Sequence, residues 1–185
     1  PAYNEDGDHI GGITGFLYSI GKTVRDFKPS RCVIAFDGRG GNAKRRKIYK
    51  GYKANRANKT KLRRFDHHET SIEDEQESMR KQFSRLVSYL DNLPVTFLAM
   101  DGIEAYIAQM YAETCKKITI VSTDRDFYQL VDDRIQIWSP IKKKMYDTQA
   151  VIEEFGVHPS NMVLYRSFTG DKSDNIPGVA GIGPK

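Results

Sequence analysis

Three apolar runs of strand length, "CVIAF" at 32–36, "VTFLAM" at 95–100 and "ITIVS" at 118–122, each lead into carboxylates at or just beyond their carboxyl ends. Runs apolar on both faces that alternate with helical segments predict an α/β fold, in which a mostly parallel sheet is covered by helices on both faces. Before the first run, Ile13, Phe16, Leu17, Ile20, Val24 and Phe27 recur at spacings of three and four, which predicts a helix over 12–27. Between the first two runs, Met79, Phe83, Leu86, Val87 and Leu90 give a second apolar stripe. Beyond the third, "RIQIWSPIKKKMYD" reads as two short strands around a turn at Pro140, forming a sheet edge. Helices are then expected over 148–155 and 160–168, stopped by Gly156 and Gly170.

Charge is distributed unevenly. Residues 39–64 hold 12 of the 29 lysines and arginines and no acidic residue, which leaves 17 basic against 24 acidic residues elsewhere. A basic block on an acidic body points to a polyanionic partner held at one place, and nucleic acid is the leading candidate. Within the block, Arg45, Arg46 and Lys50 are placed to neutralise phosphates, while Tyr49 and Tyr52 offer faces on which unpaired bases can stack. An unstructured basic tail or targeting signal is the competing reading, but such tails seldom lie between two strands of a domain.

In an open parallel sheet, side chains just past the carboxyl ends of the strands converge in space. Here they are acidic: Asp37, Glu104, and the pair Asp124 and Asp126. Hard oxygen donors gathered at one edge repel one another unless a cation lies among them, and Mg²⁺ or Mn²⁺ is the natural occupant. Each aspartate taken singly also fits a helix cap or turn. Asp171 and Asp174 stand three apart, so in a helical turn they share a face and complete the cluster from another direction. "GVAGIGPK" at 178–185 has the glycine-rich pattern of a helix-hairpin-helix element, in which Gly181, Gly183 and Lys185 would hold phosphates.

Other features read as structural. "DHHE" at 66–69 suits a solvated linker, "EDEQE" at 73–77 a helix N-terminal turn, and Asp101 a turn. "GGITG" at 11–15 lacks the lysine of a phosphate-binding loop, and Trp138 and Tyr146 suit packing in the hairpin. Cys32 and Cys115 lie far apart in apolar segments, which excludes a disulfide framework and predicts two core thiols in a reducing compartment. No apolar run approaches the roughly 20 residues needed to span a bilayer, so an intracellular protein without a membrane partner is expected.

"FDG", "RRKIYKGYKANR", "DGIEA", "IVSTDRDFYQLV" and "GDKSDNIPGVAGIGPK", in this order, resemble the 5′ to 3′ exonuclease and flap endonuclease family, most closely its phage-type members, including the phage ribonuclease H. The resemblance implies a Rossmann-like (PIN-like) sheet under a basic helical arch, a C-terminal helix-hairpin-helix element, and two Mg²⁺ or Mn²⁺ ions. By motif, Asp37, Glu104, Asp124 and Asp126 match the metal ligands of the sheet and Asp171 and Asp174 those of the second ion. Lys53 and Arg56 match arch residues that engage the scissile phosphate. One departure stands inside a motif: Tyr106-Ile107 follows Glu104-Ala105 where the family carries two further carboxylates.

The implied organisation is a catalytic domain over 1–165, its arch at about 38–80, and the start of a helix-hairpin-helix region over 166–185. The implied activity is a structure-specific 5′ nuclease, with possible ribonuclease H action. Its substrates would be DNA with a 5′ flap, fork or nick and RNA–DNA hybrids, its partners replication proteins such as single-strand-binding protein, and its state a monomer in a bacterial or phage-infected cytoplasm. A non-catalytic branched-DNA-binding module with an incomplete metal cluster is the alternative from another class. A phosphomonoesterase of the haloacid dehalogenase type stands further off, because Asp124-Arg125-Asp126 is followed by Phe127.

Overall fold

A computed structural model describes residues 2–37, 43–56, 72–100 and 104–182. The chain divides into two compact units, one of residues 1–36 and 60–99, the other of residues 37–59 and 100–185.

In the first unit, α1 (Gly11–Phe27) and α3 (Ile72–Leu90) pack together, and the strands β1 (Val33–Asp37) and β2 (Thr96–Met100) form a two-stranded sheet. The predicted stripes meet there: Ile13, Leu86 and Leu90 are buried, with Phe16, Leu17, Ile20, Ile34, Phe36, Val95 and Phe97 packed around them. Met79 and Phe83, predicted for the same stripe, stay exposed, because only the C-terminal half of α3 contributes to this buried cluster. Ile10 offers no side-chain cap to α1, and Gln82 takes that role from α3: its Oε1 accepts the Gly12 N–H at 2.8 Å. A Cβ on Gly12 would come within 2.8 Å of the same oxygen, so the residue without a side chain admits the cap.

The second unit holds α2 (Ala43–Ile48), α4 (Glu104–Ala112), β3 (Ile118–Val121), β4 (Ile135–Ser139), β5 (Lys144–Tyr146), α5 (Thr148–Phe155) and α6 (Met162–Thr169). β3 pairs parallel with β4, Ile118 opposite Ile135, and β4 pairs antiparallel with β5, Ile137 opposite Tyr146. The hairpin at the sheet edge is therefore present where the sequence places it. β4 alternates as a half-buried strand should, with Ile135, Ile137 and Ser139 turned inward. Its core joins Ile137, Tyr146, Val151 and Met162, all at most 1% exposed, to Tyr128 and Val131, while Ile135 packs with Ala108, Ala112 and Leu130.

Strand existence follows the sequence, but pairing differs from it. The described strands lie in a two-stranded and a three-stranded sheet, where the sequence implied consecutive strands of one sheet. An apolar run fixes that a strand forms; it names neither its neighbour nor how fully it is covered, and the described residues of β1, β2 and β3 are half-buried or exposed. Both cysteines are half-buried, not core, and burial pushes the Cys32 thiol up. The helix expected over 160–168 starts as a 3₁₀ turn, Pro159–Asn161, before α6. Gly156 ends α5 at φ 72° and receives the expected αL cap.

Candidate active site

The stretch "STDRD" folds as a self-capped turn. Ser122 Oγ accepts the Asp124 N–H at 3.1 Å, and Asp124 Oδ1 accepts the Asp126 N–H at 2.9 Å, opening a 3₁₀ helix at Arg125–Leu130. Tyr128 and Leu130 are buried, so the turn is anchored by its far end while its two carboxylates face outward beyond β3.

The second acidic pair lies on a loop that α6 delivers. Gly170 ends the helix at φ 71°, and a Cβ there would fall 2.4 Å from Gly178 N and 2.5 Å from Ile176 O. Asp171 and Ile176 exchange backbone hydrogen bonds of 2.8 Å in both directions, closing residues 172–175 into a turn. Asp171 and Asp174 were expected to share a helical face. They share this closed turn instead, in which Asp171 Oδ1 accepts from the Ser173 N–H and hydroxyl at 2.7 Å and from the Asp174 N–H at 3.3 Å. Helical continuation fails because Asp171 and Ile176 pair with each other across the turn.

Between the two pairs stands Arg166, in the last turn of α6. Its guanidinium reaches Asp126 Oδ1 at 3.0 Å and forms a close ion pair with Asp171. Burial raises the Asp126 carboxyl above the usual range, the charge of Asp124 raises it further, Arg166 pulls it down, and Asp171 and Asp174 add smaller upward pushes. Burial acts on Asp171 in the same direction, but hydrogen bonds from Ser173 and the charge and hydrogen bond of Arg166 outweigh it and hold that carboxyl low.

The basic stretch reaches the same cavity. α2 carries Arg45 and Arg46, both exposed, and is followed by Tyr49, 40% exposed, and the exposed Lys50. Tyr52 differs from the expectation: it is 5% exposed, its hydroxyl accepts from Arg45 at 3.2 Å, and the Lys53 ammonium lies 4.9 Å from its ring centroid. A ring enclosed in that way does not present a face for base stacking; of the two tyrosines, Tyr49 keeps an accessible ring. Lys53 takes φ 56° and brings its ammonium to 4.0 Å from Asp174 Oδ1. Arg45, Tyr49, Tyr52, Arg125, Asp126, Arg166, Asp171 and Asp174 line one cavity of about 470 Å³, with Ile48, Val163 and Ile176 as apolar wall.

Asp37 ends β1, Glu104 opens α4 and Arg56 closes the 3₁₀ turn Ala54–Arg56, but their side chains lie outside the described part of the structure. The "DHHE" stretch, Asp101, Gly183 and Lys185 are also outside it. Gly181 sits at φ 80° in a turn where the Ile182 N–H donates to Val179 O at 3.1 Å. In α4, Tyr106 is exposed and Ile107 buried, so the apolar residue at 107 packs where a carboxylate would be costly. Arg166 has a sequence signal that charge counting misses: it stands five residues before Asp171, in the last turn of the helix that delivers it.

Among the described residues, no three acidic, histidine or cysteine side chains close on one point as a ready metal site. The donor set nevertheless fits a hard divalent cation. It offers only carboxylate oxygens, their charges penalise ionisation of Asp126, and a cation, the Arg166 guanidinium, bridges two of them. Among the described residues no helix is long and apolar enough to cross a membrane.

Paired carboxylates after a parallel strand, with arginines and a basic helix at one cavity, sit on an α/β scaffold. The bacteriophage T5 D15 flap endonuclease, solved as a complex with DNA and metal ions, superposes with a TM-score of 0.71 over 92% of this chain and 62% of that one, at 21% identity. Residues 1–156 match the family described as 5′-3′ exonuclease, N-terminal resolvase-like domain, and the chain belongs to that family. The 5′-3′ exonuclease of Aquifex aeolicus is 28% identical over 190 residues, covering 100% of this chain and 60% of its own length. DNA polymerase I of Rhizobium leguminosarum is 33% identical over 193 residues, covering 97% of this chain and 17% of its own length. The chain thus spans less than two thirds of either relative.

Proposed function

We propose that this chain is the core of a structure-specific 5′ nuclease that hydrolyses phosphodiesters in branched DNA or RNA primers, with two Mg²⁺ or Mn²⁺ ions. The observation that carries the reading is the single cavity in which Asp126, Asp171 and Asp174 meet Arg45, Arg125 and the strap that bears Lys53. Asp124, Asp126, Asp171 and Asp174, with Asp37 and Glu104, would hold the ions. Bound there, the ions would supply an activated water and offset charge on the attacking and departing oxygens. The chain's own residues do the rest. Lys53 adds positive charge beside the second acidic pair, where a phosphate gains negative charge as it reacts. Arg45, Arg46 and Lys50 draw in the backbone of the strand, and Tyr49 offers its exposed ring to an unpaired base. Arg56 on the turn after Lys53 and the Gly181 turn would take further phosphates, alongside Gly183 and Lys185.

Mg²⁺-dependent release of the flap from a labelled 5′-flap DNA, abolished by EDTA, is the expected result, and binding without release under Mg²⁺ and Mn²⁺ would overturn it. That second outcome would support the other reading, a branched-DNA-binding module without catalysis, which the buried Ile107 of α4 favours.

A further inference from the structure

Residues 51–55 and 171–175 are joined edge to edge although more than 115 residues separate them in sequence. Asn55 Nδ2 donates to Lys172 O at 3.0 Å, with a sequence separation of 117. In return, Asn175 Nδ2 donates to Gly51 O at 2.8 Å, with a separation of 124. Between these two bonds the Lys53 N–H donates to Asp174 O at 2.8 Å. Each amide side chain thus reaches across to a backbone carbonyl of the opposite segment, and the backbone bond lies between them.

Both segments are bent to make this fit. Lys53 at φ 56° and Asn175 at φ 59° occupy the left-handed region, which is unfavourable for an ordinary residue and persists only where surrounding contacts hold it. Asn is the side chain that tolerates this region best after glycine, and here it also supplies a donor. The Asn55 amide is oriented by its bond: its Oδ1 is buried with no partner among the described residues, and a flipped amide would set that oxygen against Lys172 O. What the two amides enclose is the Lys53–Asp174 pair, whose side chains are only 17% and 13% exposed.

We propose that Asn55 and Asn175 are positioning residues: a reciprocal amide latch that holds the Lys53 ammonium against Asp174, so that the basic strap and the second acidic pair move as one body. The inference rests on the nuclease reading for its catalytic consequence, but the latch itself does not. Both asparagine side chains are spent on backbone carbonyls of the opposite segment, and of the enclosed pair it is Asp174 that lines the cavity, with Lys53 held against it. Their effect on turnover would pass through Lys53, and a general structural role would not show that dependence.

The test uses the whole chain with Asn55→Ala plus Asn175→Gly, in the wild-type and the Lys53→Ala backgrounds. Gly keeps the left-handed backbone at 175 and removes only the donor. Amide hydrogen exchange at Lys53 is measured in parallel with kcat and KM on 5′-flap DNA. The expected result is faster exchange of the Lys53 amide and a kcat lower by about tenfold, with KM within about twofold, and a further loss below about twofold once Lys53 is already Ala. A full additional loss in the Lys53→Ala background, or unchanged exchange at Lys53, would overturn the latch. If the wild-type chain does not cleave at all, the nuclease reading fails and the exchange result alone decides the latch.

Discussion

The Arg166 guanidinium lies 3.0 Å from Asp126 Oδ1, so a side chain of one acidic pair's helix neutralises a carboxylate of the other pair. Arg166 also pairs with Asp171, and it therefore competes with any divalent ion for both oxygens. Replacing it with Gln is expected to tighten Mn²⁺ binding in the absence of DNA by about fivefold, a modest figure because Asp126 is half-exposed and the pair is partly screened. Paramagnetic titration of Mn²⁺ checks this, and unchanged or weaker binding would contradict it.

Tyr49 and Tyr52 are expected to behave as different kinds of residue. Tyr49→Ala should lower affinity for single-stranded 5′ ends by about fivefold to a hundredfold, the range of one stacked base, without moving Tm. Tyr52→Ala should instead loosen residues 43–56, since it removes the ring packed under Arg45 and Lys53. Binding titrations and hydrogen exchange of that segment separate the two.

Gly170→Ala should displace the loop that carries Asp171 and Asp174. The new Cβ would meet the Gly178 nitrogen, the Ile176 oxygen and the Pro177 carbon at 2.4 to 2.6 Å, all of them backbone, on a residue whose φ is already 71°. A stability loss of about 2 to 4 kcal/mol is expected by denaturant unfolding, with Mn²⁺ affinity falling as well.

Away from the cavity, burial alone would raise the Glu154 carboxyl. Hydrogen bonds from Lys142 and Tyr146 outweigh it, together with the charges of Lys142 and Lys144, and hold that carboxyl below its ordinary 4.5. A depressed carboxyl contributes stability that is present above 4.5 and is lost as pH falls through its folded value. Glu154→Gln should therefore cost about 1 kcal/mol at pH 7, and the gap to wild type should close as the solution is acidified below 4.5. Denaturant midpoints at pH 7 and pH 3 test the sign.

The sequence by itself determined the strands, the helix stripes and the turn stops, because side-chain periodicity and the backbone limits of glycine act within a few residues. α5 ends at Gly156 as read, and β4 and β5 flank Pro140 as read. It also singled out candidate carboxylates and cations, since hard donors after apolar strands and a block of twelve cations are chemical statements that need no coordinates. Only the tertiary structure decided how they meet. It paired the described strands in two sheets, enclosed Tyr52 while leaving Tyr49 open, set Arg166 between Asp126 and Asp171, and joined Asn55 to Asn175's loop. The contacts that bring separate segments together, Arg166 with Asp126 and Asn55 with Lys172, span tens to more than a hundred positions, and no local pattern encodes a partner at that distance.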